Sequence, residues 1–341
     1  MVPLASNTMK VSLFQEAEIR KSVALPEAIE AMEKAFPAYS NKTASVPGVI
    51  HLDVPVHQGE VHIKAGYLHG APEYVVKLAA GFWENRRRNL PIGSGLMIVC
   101  SAETGFPQAV LLDNGYLTEL RTAAAGAVAA KYMAPLACEQ VAILGAGMQG
   151  RFQLQALTCV RNFRRVMIYD HRTTNIARYL SDMQGKIDAE LIPASSVEEA
   201  ARGSRIIITT TPSRYPILRV AWVEPGTHIT AMGSDGADKQ ELHTDVLVRA
   251  DRLIADSLPQ CLRFGEIHHA VEEGVLQEQD VDGELGDVIS GRIQGRTNDQ
   301  EITVCDLTGV GVQDAAIAGL AYKKLTSRES SDKQTRPAAK D

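Results

Sequence analysis

Residues 141–150 read VAILGAGMQG, and this stretch decides the fold of the second half of the chain. An apolar run leads into three glycines, Gly145, Gly147 and Gly150, in the spacing Gly-x-Gly-x-x-Gly. A buried strand, a glycine turn and a helix in this order are typical of a unit that binds the diphosphate of a dinucleotide. The first glycine allows the tight turn, the second lets the diphosphate approach the backbone, and the third lets the helix pack on the strand.

Strand-like and helix-like segments alternate from this stretch towards the C-terminus. Parallel strands need crossover connections, so the alternation predicts an α/β fold with a doubly wound parallel sheet of the Rossmann type. The segments that carry the pattern are RRVMIYD, TTNIARYLSDM, RIIITTTPS, HITAMGSD, DRLIADS and ITVCD.

Asp170 ends the strand that follows the glycine turn, and it determines which cofactor we expect. A carboxylate there accepts hydrogen bonds from the ribose hydroxyls and repels a 2′-phosphate, which favours NAD(H). His171 and Arg172 come next, and an arginine can accommodate a 2′-phosphate. NADP(H) therefore remains the alternative.

The segment before residue 141 has a different pattern. Residues 47–113 alternate apolar and polar positions between Gly, Pro and Asn turns, which indicates a strand-rich sheet, and an alanine-rich helix follows over 117–133. The helix after ITVCD is expected to return to this first, α+β domain. We therefore predict one domain from 1–131 and 312–330, a Rossmann domain from 132–311, and a disordered polar tail from 331–341.

Composition excludes several classes of partner. The chain has 341 residues, a net charge of −6 and 22% charged residues, which suggests neither nucleic acid nor membrane as a partner. The five cysteines form no Cys-x-x-Cys pair, and no signal segment is evident, so we expect a cytoplasmic protein. His268 and His269 are adjacent on a predicted helix and should point apart, so we expect no metal site.

Several motifs together resemble the ornithine cyclodeaminase/mu-crystallin family. They are LLDNGYLTELRTAAAGAVAAKYMAP, VAILGAGMQG, MGSDGADKQEL and ITVCDLTGVGVQDAAIA. The resemblance implies a homodimer whose first domain binds the substrate and dimerises, and which acts on an amino acid or imino acid with a nicotinamide cofactor. The segment HIKAGYLHGAPEYVVKLAAGFWENRRRNLP resembles the branches named ectoine-utilisation cyclodeaminase-like proteins and iminosuccinate reductases.

Three residues are candidates for the chemistry. Arg121 can clamp a carboxylate through two parallel hydrogen bonds, and the resemblance implies that contact; the alternative is an ion pair on the helix surface. Lys77 interrupts an apolar strand, and the resemblance places it beside the substrate carboxylate; the alternative is a lysine that extends from the strand edge. Asp235 follows a sheet strand, at the edge where α/β active sites lie, and the resemblance places it close to the substrate nitrogen, with which it could exchange a proton; the alternative is an aspartate in an ordinary loop.

Two residues depart from the family pattern. Ornithine-specific members carry a glutamate near Lys64, so a cation there favours a substrate with a second carboxylate, such as iminosuccinate; the alternative is a solvent-facing lysine. His51 stands where relatives have an arginine that helps to bind the carboxylate, and it either keeps that role or marks a different substrate. The remaining candidates are cofactor contacts. Met148 and Gln149 belong to the glycine turn, and the resemblance implies contacts for residues in other loops and in the alanine-rich helix: Thr122, Thr210, Thr211, Met232, Gly233, Thr308 and Gly309.

These residues favour a nicotinamide-dependent imine reductase or amino acid dehydrogenase that acts on a small dicarboxylic imino acid. Two alternatives remain open. One is an ornithine cyclodeaminase, which converts ornithine into proline and ammonia. The other is a cofactor-dependent ligand-binding protein like mu-crystallin; such members lack the aspartate that stands here at position 235.

Overall fold

The computed structural model describes residues 10–335. Strands and helices are numbered in chain order. The strands are β1 Ser12–Gln15, β2 Ala44–Ser45, β3 Ile50–Val54, β4 Gly59–Leu68, β5 Glu73–Phe82, β6 Gly93–Ser101, β7 Pro107–Leu112, β8 Gln140–Leu144, β9 Arg165–Tyr169, β10 Glu190–Pro193, β11 Ile206–Thr209, β12 His228–Ala231, β13 Arg252–Ala255, β14 Gly283–Glu284 and β15 Thr303–Asp306. The helices are α1 Glu16–Ile19, α2 Leu25–Ser40, α3 Tyr116–Met133, α4 Met148–Thr158, α5 Thr173–Met183, α6 Val197–Ala201, α7 Thr244–Arg249, α8 Leu258–Cys261, α9 Gly265–Glu272, α10 Leu285–Ile289 and α11 Gly311–Thr335.

The chain divides into two compact units. The sheet unit takes the chain up to Ala24, Ala44–Thr118 and the chain from Gly311 onward. The nucleotide unit takes Leu25–Thr43 and Glu119–Val310. Residues 25–43, which the sequence analysis placed in the first domain, are thus grouped with the nucleotide unit.

The sheet unit is built on a seven-stranded sheet in the order β1-β7-β6-β5-β4-β2, with β3 paired to β4. Its pairs are antiparallel except for β1 and β7. Helix α11 covers one face. It lies very close to β4 because the helix and the strand each have a glycine at the contact, Gly311 and Gly66. A Cβ added at Gly66 would lie 2.4 Å from the Gly311 carbonyl oxygen.

The two faces of this sheet differ in burial. On β5, Val75 and Lys77 are buried. The alternating residues Val76 and Leu78 are partly exposed. Since alternate residues of a strand point to opposite faces, one face is covered and the other is open.

The nucleotide unit contains a parallel eight-stranded sheet in the order β10-β9-β8-β11-β12-β15-β13-β14. The chain moves outward from β8 to β9 and β10, then returns to β11 on the other side of β8. The topological switch point therefore lies between β8 and β11, where doubly wound folds bind their ligands. Apolar clusters fill the space on both faces of this sheet. The predicted fold class, a Rossmann sheet with a second α+β unit, is confirmed.

The C-terminal tail differs in part from the prediction. Helix α11 continues to Thr335, over the first residues of the segment expected to be disordered. No glycine or proline stands between Gly319 and Pro337, so nothing in the local sequence stops the helix earlier. The rest of the predicted tail, 336–341, lies outside the described residues. Among residues 10–335, no helix is long and apolar enough to cross a membrane.

Candidate cofactor and substrate sites

The glycine turn after β8 has the geometry that the motif predicts. Gly145 has a φ of +113°, and a Cβ there would lie 2.7 Å from the Thr210 hydroxyl. A Cβ on Gly150 would lie 2.2 Å from the Gly145 carbonyl oxygen, whereas one on Gly147 would meet nothing within 4 Å. Protein atoms therefore pack closely against the turn at Gly145 and Gly150, whereas the space beside Gly147 is open. Gly147 is the position where a diphosphate would approach the backbone.

The turn is followed directly by helix α4, whose first N–H groups have no carbonyl partner within the helix. Met148 begins this helix with its side chain exposed, and Gln149 and Gly150 follow. Arg151, which the sequence analysis did not single out, donates to the carbonyl oxygens of Ala146 (2.9 Å) and Gly147 (2.7 Å). These residues fit a dinucleotide diphosphate, because N–H groups at a helix N-terminus bind anions.

Asp170 lies at the end of β9 with a side chain only 9% exposed. Its carboxylate accepts hydrogen bonds from the backbone N–H groups of Ala146 (3.0 Å) and Arg172 (2.9 Å) and from the Asn175 amide (3.0 Å). The side chains of His171 and Arg172 are exposed beside it, with the Arg172 Nε 3.1 Å from His171. The carboxylate is therefore fixed next to the glycine turn, while the basic side chains lie on the surface.

The other predicted cofactor contacts follow the order of the strands. Thr210 and Thr211 come directly after β11, Met232 and Gly233 after β12, and Thr308 and Gly309 after β15, so they share the carboxyl edge of the sheet with Asp170 and the glycine turn. Thr122 and Gln149 lie where α3 and α4 pack together. The Thr122 carbonyl accepts from Gln153 (3.0 Å), and the Gln149 amide contacts the Glu119 carboxylate.

Two buried glutamates hold this edge together, and the sequence analysis missed both. Glu241 accepts from the Thr209 hydroxyl (2.6 Å) and from the N–H groups of Thr211 (2.5 Å) and Gly233 (2.7 Å). Burial raises its pKa to about 7 in spite of these hydrogen bonds. Glu266 accepts from the N–H groups of Glu241 (2.8 Å) and Leu242 (2.9 Å), and burial also raises its pKa. No local pattern marked either residue, since Glu241 follows the polar Gln240, and Glu266 lies in the first turn of a helix, where acidic residues are common.

Arg121 is buried in α3 with its guanidinium against the loop after β15. A Cβ on Gly309 would lie 2.9 Å from Nη1 of Arg121, so only a glycine lets the backbone approach it. Asp256 holds the same loop by accepting from the Thr308 hydroxyl (2.9 Å) and the Gly309 N–H (2.6 Å). Because Arg121 is only 6% exposed, the alternative of an arginine on the helix surface is wrong.

Asp235 lies in the loop after β12. Its side chain is 54% exposed, and its carboxylate lies 2.7 Å from the Lys239 ammonium. The loop is closed by a hydrogen bond from the Ser234 hydroxyl to the Lys239 carbonyl oxygen. Asp235 is therefore reachable by solvent and small molecules, as a proton-exchanging group must be.

Lys77 in the sheet unit is buried rather than extended from the strand edge. Its side chain is 3% exposed, and its Nζ lies 2.9 Å and 3.0 Å from the two carboxylate oxygens of Asp314 in α11. A buried ammonium needs such an anion to offset its desolvation. The sequence suggested an anion for Lys77 but did not identify Asp314.

Lys64 and His51 lie on the same face of the sheet as Lys77. Lys64 of β4 is the register partner of Lys77 on β5, and His62 is the register partner of His51 on β3. Register partners share a face, as do residues two positions apart such as His62 and Lys64. The His51 and His62 rings are 4.7 Å apart, and His51 also contacts Asp53 at 2.9 Å. This face thus carries a row of four basic side chains, of which His62 was not predicted.

His268 and His269 do not point apart. Their ring centroids are 3.9 Å apart, and with Glu272 they form a group whose ligand atoms lie within 4.8 Å of one another. The prediction of divergent side chains was wrong because each ring is held by a different backbone carbonyl, His268 by that of Gly265 and His269 by that of Lys239, and these bonds leave the rings side by side.

Gly147, beside open space, and Gly150, packed against the backbone, allow a test of the cofactor site. We expect Gly147→Ala to leave the melting temperature nearly unchanged, since its Cβ enters open space, but to weaken NADH binding by more than about tenfold by blocking the diphosphate. Gly150→Ala, whose Cβ meets its own backbone, should instead lower the melting temperature. Fluorescence titration with NADH and thermal melts measure both effects. Unchanged NADH binding in Gly147→Ala would contradict the assignment.

Comparison with known proteins agrees with these features. The sequence profile of the ornithine cyclodeaminase/mu-crystallin family matches residues 9–329, which confirms the resemblance drawn from the motifs. An uncharacterized cyclodeaminase from Sinorhizobium fredii is 42% identical over 325 residues, covering 95% of this chain and 98% of that protein. The iminosuccinate reductase of Paracoccus denitrificans is 34% identical over 306 residues, covering 89% and 93%.

Two solved structures have the same fold. An archaeal alanine dehydrogenase dimer with bound NAD superposes with a TM-score of 0.87 at 36% identity, over 94% of this chain and 97% of that one. The Δ1-pyrroline-2-carboxylate reductase of Thermococcus litoralis, in complex with NADH and L-proline, gives a TM-score of 0.89 at 31% identity, over 94% and 98%. Both neighbours bind a nicotinamide dinucleotide, in agreement with the glycine turn found here.

Proposed function

Because this chain belongs to the ornithine cyclodeaminase/mu-crystallin family and is an enzyme of that family, we propose that it reduces a small dicarboxylic α-imino acid. The C=N bond takes up a hydride and a proton and becomes an amine. NADH, when bound at the glycine turn, would supply the hydride and so be oxidised to NAD⁺. Iminosuccinate, which yields aspartate, is the simplest such substrate. The preference for NADH over NADPH rests on the carboxylate of Asp170 beside the glycine turn.

The observation that carries this proposal is the register of β4 and β5. Lys64 and Lys77 are directly opposite each other, and like charges in that position are destabilising unless anions are near. Asp314 neutralises Lys77. A substrate with two carboxylates brings a further negative charge to this face, whereas a cationic substrate such as ornithine would be repelled.

Each candidate residue then has one role. Arg121 binds the α-carboxylate, which suits a guanidinium that is always charged. Asp235 exchanges the proton with the substrate nitrogen. An ammonium donates three hydrogen bonds, so Lys77 can bind a carboxylate while it is paired with Asp314. Lys64 binds the second carboxylate, and His51 donates a further hydrogen bond.

A spectrophotometric panel tests the reaction. The purified protein is mixed with NADH, ammonium and one 2-oxo acid, and loss of NADH is followed. We expect turnover with oxaloacetate, which forms iminosuccinate with ammonia, to exceed turnover with pyruvate. A preference for pyruvate would overturn the dicarboxylic proposal. NADH binding without turnover of any imine would favour a ligand-binding protein like mu-crystallin.

Reversing the charge of Lys64 tests the substrate class directly. Lys64→Glu should lower kcat/KM for the dicarboxylic imine by at least about tenfold, because one good charge-assisted contact is worth about 1.5–3 kcal/mol. Lys21→Glu, an equal charge change at an exposed residue of the same unit, should leave kcat/KM unchanged. Equal activity of Lys64→Glu and the wild type would remove Lys64 from the site.

The second candidate function is an ornithine cyclodeaminase, which the name of the family and a 42% identical relative named an uncharacterized cyclodeaminase support. The two reactions differ in redox balance. A cyclodeaminase needs only catalytic NAD⁺ and releases ammonia from ornithine, whereas a reductase consumes NADH in proportion to product. Incubating the protein with ornithine and substoichiometric NAD⁺, then measuring ammonia and proline, distinguishes them.

We also propose a homodimer that pairs the open face of the sheet unit. Ile50 and Leu52, which lie on alternate positions of β3 and face away from His51, are 60% and 54% exposed. Exposed apolar side chains on one sheet face favour an interface. Light scattering should give twice the mass of one chain, and Leu52→Glu should shift the protein towards the monomer. A monomeric wild type would contradict the proposal.

A further inference from the structure

Three metal-ligating side chains cluster on α9, outside every role assigned above. His268, His269 and Glu272 place one ligand atom each within 4.8 Å of one another. Glu272 comes four positions after His268 and three after His269, the two spacings that bring side chains together on a helix. His268 Nε2 lies 3.8 Å from Glu272 Oε2.

Backbone carbonyls fix both imidazoles. His268 Nδ1 lies 3.0 Å from the Gly265 carbonyl oxygen, and His269 Nε2 lies 2.7 Å from the Lys239 carbonyl oxygen. A carbonyl only accepts, so these two nitrogens carry the hydrogens in those bonds. In the neutral rings the lone pairs are then on Nε2 of His268 and Nδ1 of His269. Metal-binding histidines are held in this way, with the second nitrogen donating to a carbonyl.

We propose that His268, His269 and Glu272 bind one Zn²⁺ ion, with water as the fourth ligand. Two imidazoles and one carboxylate are a known zinc ligand set, with metal–ligand distances of about 2.0–2.2 Å. At a tetrahedral angle two such bonds separate their ligand atoms by about 3.4 Å, so the 3.8 Å between His268 Nε2 and Glu272 Oε2 needs only a small movement of the exposed Glu272 side chain. His268 is buried, whereas the Glu272 side chain is 74% exposed and can turn to complete the site from solvent.

The site connects α9 to the loop that carries Asp235. The Lys239 carbonyl that fixes His269 also accepts from the Ser234 hydroxyl, and the Lys239 ammonium pairs with Asp235. A bound ion holds the His269 ring and, through it, this loop. The role of Zn²⁺ in positioning Asp235 rests on the function proposed above, but the binding site itself does not.

Zinc titration of the full-length protein tests the site without any substrate. The protein competes with a chromophoric chelator for Zn²⁺, and thermal melts are recorded with and without the ion. We expect one Zn²⁺ per chain and a higher melting temperature with the ion, because a ligand that binds only the folded state stabilises it. Glu272→Ala should weaken binding by more than about tenfold, since even loss of a supporting partner costs that much.

Two controls separate this site from adventitious binding. Glu273→Ala removes the neighbouring carboxylate, which accepts from the Thr244 hydroxyl at 2.8 Å, and should bind Zn²⁺ like the wild type. Cys159→Ser removes an exposed thiol and should also leave binding intact. Absence of saturable binding, wild-type affinity in Glu272→Ala, or equal losses in the two glutamate variants would each overturn the proposal. The exposed Glu272 is used because replacing buried His268 could unfold the helix.

Discussion

Asp235→Asn is expected to lower kcat by about 10²- to 10⁴-fold, the usual contribution of a general acid or base. Asparagine keeps the size of the side chain but cannot exchange a proton with the substrate nitrogen. The fold should not change, because the Asp235 side chain is 54% exposed, and ion pairs open to solvent contribute at most about 1 kcal/mol. The measurement is steady-state turnover with NADH and the preferred imine, together with a thermal melt.

A matched control lies in the same loop. Asp238 is similarly exposed and pairs with Arg214 at 2.9 Å, so Asp238→Asn makes the same chemical change nearby. It should retain wild-type kcat. If Asp235→Asn and Asp238→Asn had the same activity, the proton would have to come from another group, and the role given to Asp235 would be wrong.

Lys77→Met is expected to lower the free energy of unfolding by about 3–5 kcal/mol, because it leaves the buried carboxylate of Asp314 without its cation. The side chains of both residues are almost fully buried, at 3% and 2% exposure, so little solvent screens the pair. Methionine has a similar length and no charge, which keeps the packing close to that of lysine. Denaturant unfolding measures the change.

The double variant Lys77→Met/Asp314→Leu separates stability from function. With both charges removed, most of the lost stability should return, since apolar residues often replace a buried ion pair without loss. If Lys77 also binds the substrate, kcat/KM should stay low in this variant. An unfolding free energy of Lys77→Met equal to that of the wild type would contradict the buried pair. Recovery of full activity in the double variant would limit Lys77 to a structural role.

Local patterns were sufficient for most of the fold. The spacing of the three glycines, the apolar run before them and Asp170 after the next strand predicted the βαβ unit. The cofactor candidates that follow strands of this sheet all fall at its carboxyl edge, whereas Thr122 lies in α3. Steric limits on the backbone and the periodicity of apolar residues operate over a few positions, so they can be recognised in the sequence. The motif MGSDGADKQEL likewise marked Asp235, which pairs with Lys239 four residues away.

Only the tertiary structure identified the partners that lie far apart in the chain. Lys77 and Asp314 are 237 positions apart. Lys64 lies opposite Lys77 only in the observed strand register, and a shift of one residue would move the Lys64 side chain to the other face of the sheet. Glu241 and Glu266 likewise act through backbone groups on other elements, and the two histidines of α9 lean together against the expectation from their spacing. Such contacts result from how whole elements pack, and no short stretch of sequence encodes that packing.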